Sequence, residues 1–371
     1  MSRLAARPIF ARIDLKALRH NYAVAARTAT GARVWSVVKA DAYGHGLLPL
    51  ALALREHTDG FALIELEGAI LLREQGIRQP IMLLEGFYSA EELPLFAEHG
   101  LTVLLHAPWQ IDALIEARLP VSLPVVLKLN TGMHRLGLSA TEFRDGLARL
   151  EQAGCTASIT LMTHFAEADG ERGIAEQMQR FEEVTAGLSL PRCLANSAAL
   201  LRFPAEVCDA SAWVRPGIML YGASPCPDLH SAEHFDLRPV MTLQSEIIAV
   251  QRLQRGDRVG YGGSFVAETE MTVGIVAGGY GDGYPRHAPT GTPLLVNGQR
   301  TRTLGRVSMD KLCVDLTGLV KVGAGSTAVL WGRDAQSGTI LPADEVATAA
   351  GTIAYELFCA LAGRVPVEYI E

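Results

Sequence analysis

Eight short apolar runs, spaced along the first 220 residues, constrain the fold of this chain more than any other feature. Amphipathic stretches with helical spacing lie between most of them, which is typical of strands that alternate with helices. The runs are Val34–Val38, Phe61–Ile64, Ile81–Leu84, Thr102–Leu105, Val125–Leu129, Ile159–Thr163, Arg192–Ala195 and Trp213–Leu220. The helical stretches include Leu47–Arg55, Ala90–Glu98, Thr141–Gln152 and Glu171–Gly187. Eight such repeats predict an α/β fold, a closed (β/α)₈ barrel with parallel strands.

The pattern changes after about Arg238, where strands follow one another without long helices between them. The later elements are strands at Met241–Leu253, Met271–Val276, Leu294–Val296, Arg302–Leu304 and Ala328–Trp331, a hairpin turn at Asn297-Gly298, a helix over Ala343–Leu361 and a final strand. We therefore predict a barrel domain over residues 1–232 and a mostly β domain over residues 233–371. The least regular part of the barrel is residues 198–212, with a short helix that ends at Phe203-Pro204.

Composition limits the partners and the location of the protein. Its 371 residues suggest two domains, and 49% hydrophobic residues suffice for a large core. The net charge of −7 and the lack of a dense basic block argue against nucleic acid. No apolar run approaches the ~20 residues of a membrane span, and the N-terminus lacks the apolar stretch of a signal peptide. Six scattered cysteines favour reduced thiols over a disulfide framework or a zinc site. We expect a cytoplasmic protein with no membrane segment.

Chemically active side chains follow five of the eight predicted barrel strands. In such barrels the residues after the strands surround a common mouth, where chemistry takes place. The side chains in question are Lys39, Lys128 with Arg135, His164, Asn196 with Ser197, and Arg215. Their convergence predicts a site that combines several cations with a hydroxyl and an amide.

Lys39 is the most informative of these residues. A lysine after an apolar strand is commonly a solvated side chain, and this alternative stays open on the residues alone. In a partly desolvated mouth, however, the pKa of an amine falls, and a neutral amine can form an imine with an aldehyde. Pyridoxal phosphate is the common biological aldehyde that uses this chemistry.

A phosphate group would also need an anchor in the same mouth. In these barrels it often lies against the loops after the seventh and eighth strands, where Ser197 and the Gly217-Ile218 backbone are expected. Arg215 is always charged, so beside a pyridine ring it would donate to an unprotonated ring nitrogen. That weakens the ring as an electron sink, which favours brief deprotonation and reprotonation over transamination. The alternatives are an ordinary strand-end turn at Gly217 and an internal ion pair for Arg215.

From Pro8 to the C-terminus, the chain resembles the alanine racemases. The motifs occur in the family's order: Val38-Lys-Ala-Asp-Ala-Tyr-Gly-His-Gly46, Lys128–Gly137, Thr163-His-Phe165, Ala195-Asn-Ser-Ala198, Val214–Gly222, Gly260-Tyr-Gly262, Gly279–Tyr284, Gly305–Asp310 and Ile353-Ala-Tyr-Glu356. Asn130 and His134 depart from the pattern, because many relatives have Asp and Gly there. These departures lie near Arg135 and could affect the affinity for substrate, but they remove no group that the expected reaction needs.

The resemblance implies a two-base racemase of L-alanine and D-alanine. Lys39 would hold pyridoxal phosphate and move the proton on the face of the D-enantiomer. Tyr261 would act on the L-enantiomer, reaching the partner's barrel in a head-to-tail homodimer, with His164 and Arg215 supporting it. Two bases on opposite faces are needed, since one base would return the proton to the face it left.

The resemblance also implies the groups that bind cofactor and substrate. Tyr43, Ser197, Gly217, Ile218 and Tyr355 would hold the phosphate, Arg215 the pyridine nitrogen, and Asn196 would order the network beneath the ring. Arg135 and the partner's Met309-Asp310 backbone would bind the substrate carboxylate, with Tyr280 and Asp169 lining the access route. Lys128 corresponds to a position that many relatives carbamylate, the alternative being an unmodified lysine. No metal site is expected.

Three other functions are weighed against this one. A pyridoxal-phosphate-dependent decarboxylase would use a similar barrel and β domain, but it would place an acid opposite the pyridine nitrogen, where Arg215 is expected here. A racemase for serine or for a broad range of amino acids is a milder alternative. A non-catalytic pyridoxal-phosphate-binding protein would resemble residues 8–230 alone, and the second domain with Tyr261 argues against it. The cellular role would be supply of D-alanine for peptidoglycan or its breakdown.

Overall fold

The computed structural model describes residues 7–209 and 213–371. Eight parallel strands close into a barrel, with the first barrel strand pairing with the last. The barrel strands are β2 Arg33–Val37, β3 Gly60–Leu63, β4 Ile81–Leu83, β5 Thr102–Leu105, β6 Leu123–Lys128, β7 Thr156–Met162, β8 Arg192–Cys193 and β9 Trp213–Val214. Strands such as β3 and β5 are buried on both faces, which is why they are continuous apolar runs in the sequence.

Helices surround the barrel and cover part of the second domain. They are α1 Leu15–Thr28, α2 Lys39–Gly44, α3 Leu47–Leu54, α4 Leu66–Glu74, α5 Leu93–Glu98, α6 Pro108–Glu116, α7 Ala140–Ala153, α8 Ala175–Thr185, α9 Ser197–Arg202, α10 Pro204–Val207, α11 Ala343–Ala350 and α12 Ala354–Cys359. Local signals set their ends. In α7, for example, Ser139 and Glu142 form a capping box, and Gly154 ends the helix in a left-handed conformation.

The second domain is built on a nine-stranded, mainly antiparallel sheet in the order β18-β17-β14-β15-β16-β13-β10-β1-β19. Its strands are β1 Phe10–Asp14, β10 Met241–Leu253, β13 Met271–Ala277, β14 Pro293–Val296, β15 Gln299–Leu304, β16 Lys311–Asp315, β17 Thr327–Arg333, β18 Ile340–Leu341 and β19 Val367–Ile370. A further pairing of β17 with β10 curls the sheet back on itself. A separate two-stranded sheet is formed by β11 Arg258–Val259 and β12 Phe265–Val266.

The fold class predicted from the sequence is confirmed. Each apolar run of the first half coincides with a barrel strand, and the Asn297-Gly298 hairpin joins β14 to β15 with both turn residues at positive φ. The division between residues 232 and 233 stays a prediction. Strand β1, although it lies near the N-terminus, pairs with β10 and β19 of the second domain.

Two predicted elements are shorter than expected. The helix predicted over Ala343–Leu361 is divided, because Gly351 takes a left-handed conformation that ends α11. The run Trp213–Leu220 is extended only at β9 and then forms a 3₁₀ helix over Ile218–Tyr221. Of the irregular connection at residues 198–212, positions 210–212 lie outside the described residues.

The buried apolar side chains of the barrel and of much of the second domain form one continuous core. Within the described part of the chain, none of the helices combines the length and the apolar character needed to cross a membrane.

Candidate active site

The residues predicted at the strand ends line one cavity of about 560 Å³. It opens at the carboxyl ends of the barrel strands, where the loops of such barrels meet, and the start of α12 closes one side. The predicted residues in its wall are Lys39, Tyr43, Lys128, Arg135, His164, Asp169, Asn196, Ser197, Arg215, Gly217, Ile218 and Tyr355. The fold thus brings together side chains from widely separated parts of the chain.

A larger groove, of about 1300 Å³, lies between residues 222–239 and the second domain. None of the predicted site residues lines it, and its two arginines are paired, Arg300 with Glu345 and Arg302 with Asp315. The smaller cavity therefore holds the chemistry that the sequence indicates.

Lys39 lies where the first barrel strand turns into an unusual backbone segment. The four residues Ala40–Tyr43 all have left-handed conformations, with φ between 52° and 55°. Left-handed helix costs roughly 1–2 kcal/mol for each residue that carries a side chain, so the surrounding contacts must stabilise this turn. The turn places the Tyr43 side chain in the same cavity as Lys39.

Several contacts hold the left-handed turn in place. Asp41 Oδ1 accepts a hydrogen bond from the Leu47 amide at 2.7 Å, and the buried His45 Nδ1 donates to the Tyr43 carbonyl at 2.8 Å. A side chain on Gly44 would collide with the Phe358 carbonyl of α12. The Tyr43 ring stacks on Tyr221 with 4.6 Å between centroids.

The environment of Lys39 favours its neutral amine. Burial lowers the pKa of this side chain, and the nearby charge of Arg135 lowers it further, against the opposing effect of Glu85. A neutral lysine amine is both a nucleophile for aldehydes and a base. The electrostatics therefore match the chemistry that the sequence predicts for Lys39.

Ser197, Gly217 and Tyr43 meet on one side of the cavity. The Gly217 amide donates to Ser197 Oγ at 2.8 Å, and a Cβ on Gly217 would lie 2.5 Å from the Tyr43 hydroxyl. The hydroxyls of Tyr43 and Tyr355 have no hydrogen-bond partner within the described residues. The missing side chain at Gly217 leaves space for an anion such as phosphate. The serine hydroxyl and the two phenol groups can donate hydrogen bonds to it.

Arg215 is buried in the barrel and fixed by backbone carbonyls. Its Nη1 donates to Cys193 O at 2.6 Å and its Nη2 to Thr163 O at 3.0 Å, while Nη2 lies 3.4 Å from His164 Nδ1. Burial, followed by the charge of Arg215, keeps the pKa of His164 well below its ordinary value. His164 is therefore neutral near pH 7, and its uncharged ring can take part in hydrogen bonds.

Lys128 is also buried among cations. Burial lowers its pKa to about 8, with further contributions from Arg215 and Arg135. Near Arg135, Asn130 Oδ1 accepts hydrogen bonds from the amides of Gly132 and His134, both at 3.1 Å. His134 has a φ of 53°, which explains why glycine would also suit this position.

Three acidic residues in the cavity wall, Glu85, Asp228 and Asp344, were not predicted from the sequence. Glu85 follows the third barrel strand, accepts from the Tyr88 hydroxyl at 2.6 Å, and could have been found by the strand-end rule that identified Lys39. Asp344 comes from α11 of the second domain and accepts from the Ser224 amide at 2.9 Å. Burial raises the pKa of Asp344 to about 6. No barrel periodicity could have indicated its presence.

Four predicted site residues do not line the cavity within this chain. Tyr261 is 72% exposed and Met309 53% exposed, and both lie on the second domain together with Tyr280 and Asp310. The backbone amides of Met309 and Asp310 donate to none of the described residues, so they are free to bind an acceptor.

Both halves of the chain match known sequence families. Residues 13–225 match the family model of the alanine racemase N-terminal domain, and residues 240–369 match that of the C-terminal domain. An alanine racemase of Polaromonas naphthalenivorans is 52% identical over 361 residues, which are 97% of this chain and 99% of that protein. A catabolic alanine racemase of Klebsiella aerogenes is 50% identical, again with 97% and 99% coverage.

Solved structures show the same architecture. The biosynthetic alanine racemase from Pseudomonas aeruginosa superposes with a TM-score of 0.93 at 42% identity, covering 98% of this chain and 100% of that chain. The alanine racemase from Acinetobacter baumannii superposes with a TM-score of 0.89 at 36% identity, covering 98% and 100%. The similarity therefore extends over both domains.

Proposed function

The chain belongs to the alanine racemase family, and from this premise we propose that it interconverts L-alanine and D-alanine with pyridoxal phosphate as cofactor. The observation that carries the proposal is the cavity itself. It combines a half-buried lysine of lowered pKa with a set of anion-binding donors, and it lies in a chain that matches the family over both domains.

The residues in the cavity fit this cofactor. Tyr43, Tyr355, Ser197 and the Gly217-Ile218 backbone would hold the phosphate, because they supply donors around a glycine with no side chain. When bound, pyridoxal phosphate supplies an aldehyde and a conjugated ring that acidify the Cα proton of an amino acid. Arg215 would donate to the ring nitrogen, and Asn196, which caps α9 by accepting from Ala199 N at 2.9 Å, would order the network beneath the ring.

Lys39 and Tyr261 are the proposed proton-transferring residues. The Lys39 amine would bind the cofactor covalently and move the proton on the D face, while Tyr261 from a partner subunit would act on the L face. A free tyrosine has a pKa of about 10, so it needs help to act as a base near neutral pH. His164, held neutral beside Arg215, would hydrogen-bond the phenol oxygen and so support this role.

Arg135 and the free amides of Met309 and Asp310 would receive the substrate carboxylate. Asp169 in the cavity wall and Tyr280 on the second domain would line the access route. Lys128 is a proposed carbamylation site, since a pKa of about 8 leaves part of the amine neutral and able to add carbon dioxide with loss of a proton. The resulting anion would orient Arg135.

The exposed position of Tyr261 supports a head-to-tail homodimer. A base that is 72% exposed on the second domain cannot act in its own barrel cavity, which it does not line. A second copy that covers this surface would complete two equivalent sites. We further propose a cytoplasmic enzyme that supplies D-alanine for peptidoglycan or breaks it down, as the catabolic name of one relative also allows.

The proposal is tested by incubating the purified protein with L-alanine and pyridoxal phosphate and resolving the enantiomers over time. Racemase activity gives an equal mixture, without pyruvate or amine. Release of carbon dioxide from lysine, ornithine or diaminopimelate would instead indicate a decarboxylase. Faster racemisation of serine than of alanine would identify serine as the preferred substrate. Binding of the cofactor without any turnover would favour a carrier protein.

A further inference from the structure

We infer that Asp282 and Arg364 are positioning residues that shape the Met309-Asp310 turn and keep the Asp310 carboxylate away from the carboxylate of the substrate. This inference rests on the proposed function, because it assumes that the Met309-Asp310 amides bind alanine. It assigns a role to an ion network that lies outside the barrel cavity and that the proposed mechanism does not use.

The network is centred on Asp282, whose side chain is fully buried. Arg7 donates to both of its oxygens, at 2.8 and 3.0 Å, and Arg364 Nε donates at 2.8 Å. The Gly279 amide adds a fourth hydrogen bond at 3.0 Å. Burial alone would raise the pKa of Asp282, but the hydrogen bonds from Arg7 and Gly279 lower it, so the carboxylate stays charged. A buried carboxylate with this many donors is rigidly placed.

The segment that contains Asp282 is joined to the proposed carboxylate-binding turn by three backbone hydrogen bonds. Gly278 N donates to Asp310 O at 3.0 Å, Tyr280 N to Ser308 O at 3.1 Å, and Gly281 N to Met309 O at 2.9 Å. These bonds occupy the carbonyls of residues 308–310 and leave the amides of Met309 and Asp310 free. The orientation of the free amides is thus set by the segment that Asp282 anchors.

Arg364 connects the buried anchor with Asp310. Its Nε binds Asp282, and its Nη2 donates to Asp310 Oδ1 at 2.7 Å. A Cβ on Gly281 would lie 2.5 Å from this guanidinium group, so the arginine packs directly on the segment that contains Asp282. One side chain therefore binds both the buried and the exposed carboxylate.

The pairing has an electrostatic purpose. Asp310 contributes an amide to the site that receives the substrate carboxylate, yet its own carboxylate would repel that anion. Arg364 partly neutralises Asp310 and fixes its side chain through the hydrogen bond to Oδ1. Because both members of this pair are more than 40% exposed, the pair adds little to folding stability. Its main effect is therefore expected on substrate binding.

Arg7 provides a matched control. Arg7 and Arg364 both bind Asp282, but among the described residues only Arg364 also binds Asp310. We would compare Arg364→Gln with Arg7→Gln in the cofactor-loaded enzyme. The measurements are KM and kcat for alanine, the inhibition constant of propionate, which has the carboxylate but no amine, and the thermal midpoint of unfolding.

Arg364→Gln is expected to raise KM and the propionate inhibition constant by about 5- to 20-fold, as for the loss of one charge-assisted hydrogen bond, with kcat nearly unchanged. Arg7→Gln should leave both constants within about 2-fold, since it does not touch Asp310. Adding Asp310→Asn to Arg364→Gln should restore most of the binding of propionate, because it removes the repelling charge.

The inference would be overturned if KM and the propionate inhibition constant changed equally in the two arginine variants, or if Asp310→Asn gave no rescue. The ion network would then have only a structural role. If Arg364→Gln does not fold, Arg364→Lys against Arg7→Lys makes the same comparison, since one ammonium group cannot bind both carboxylates as a guanidinium does. A wild-type protein without alanine racemisation would instead defeat the proposed function.

Discussion

The two segments that carry the proposed bases both contain residues at positive φ, but they are supported in opposite ways. Lys39 precedes a turn of four residues with side chains, which packs against α12, Tyr221 and the β3 strand and buries Ala42 and Tyr43. Tyr261 lies between Gly260 and Gly262, on the surface of the second domain, and it makes no side-chain hydrogen bond with a described residue.

This difference shows which part of the site a single chain completes. The turn after Lys39 adopts a conformation that is costly for Ala, Asp and Tyr, so its shape depends on the packing around it. The Tyr261 turn uses glycines, for which positive φ costs little, and it needs no such packing. A single chain therefore positions Lys39 in the barrel cavity, whereas Tyr261 needs a second subunit to reach a cavity.

Substitution of the base on the barrel should have the largest effect. Lys39→Ala removes both the cofactor-binding amine and one base, so racemisation should fall by more than about 10⁴-fold in both directions. The rate of racemisation in each direction is measured by chiral separation of the alanine enantiomers. The exposed Lys16→Ala, on α1, is the control and should keep full activity. Retention of even a few per cent of turnover in Lys39→Ala would contradict the assignment.

Tyr261→Phe should lower turnover by about 10²- to 10³-fold, as expected for the loss of one acid–base group. Because the two enantiomers have equal free energies, kcat/KM must fall equally in both directions. Proton removal from each enantiomer is measured separately, by exchange of the Cα hydrogen of L-alanine or D-alanine in deuterated water. Exchange from D-alanine, catalysed by Lys39, should persist, whereas exchange from L-alanine should stop. Loss of both, or of neither, would show that Tyr261 is not the base on the L face.

A pair of glycine substitutions tests the contrast in packing. Gly44 and Gly262 have nearly the same φ, 74° and 72°, so Ala costs similar backbone strain in both. Only at Gly44 would the new Cβ collide with a backbone carbonyl, while at Gly262 the nearest atom is an Arg306 nitrogen at 3.3 Å. Gly44→Ala should lose about 2–4 kcal/mol of unfolding free energy, and Gly262→Ala about 1 kcal/mol. Urea denaturation measures both, and equal losses would contradict the account.

The buried His45 should make the stability of the turn after Lys39 depend on pH. Burial lowers its pKa from 6.5 to about 4, so the folded protein binds the proton less tightly than the unfolded chain. The stabilisation is complete above about pH 6.5 and is lost as the pH falls towards 4, to a limit of about 3 kcal/mol. Comparing the unfolding midpoints of His45→Gln and the wild type at pH 7.5 and 5 measures this, and a difference that does not change with pH would rule it out.

The barrel and most of its wall could be predicted because their signals are local. Strands buried on both faces are short apolar runs, and the strand-end rule then indicates Lys39, His164 and Arg215. The same rule would have found Glu85. For the second domain, the Asn297-Gly298 hairpin was equally clear from two residues.

The rest of the site depends on contacts that no local pattern encodes. The left-handed turn at Ala40–Tyr43 contradicts the conformational preference of its residues, and only packing against α12 explains it. Arg7 and Asp282 are 275 positions apart in the chain. Tyr261 was identified by resemblance alone, since a surface turn between glycines is otherwise unremarkable.

The measurement that tests the shared site most directly is subunit complementation. Lys39→Ala and Tyr261→Phe are each unfolded, mixed and refolded together. In a head-to-tail dimer, a mixed pair has one site with both bases intact, so random mixing should restore about a quarter of wild-type activity. Each variant refolded alone should keep no more than about 1% of wild-type activity. The contrary result is a mixture that is no more active than the sum of the separate variants. That result would show that Lys39 of one subunit and Tyr261 of the other do not form a shared site.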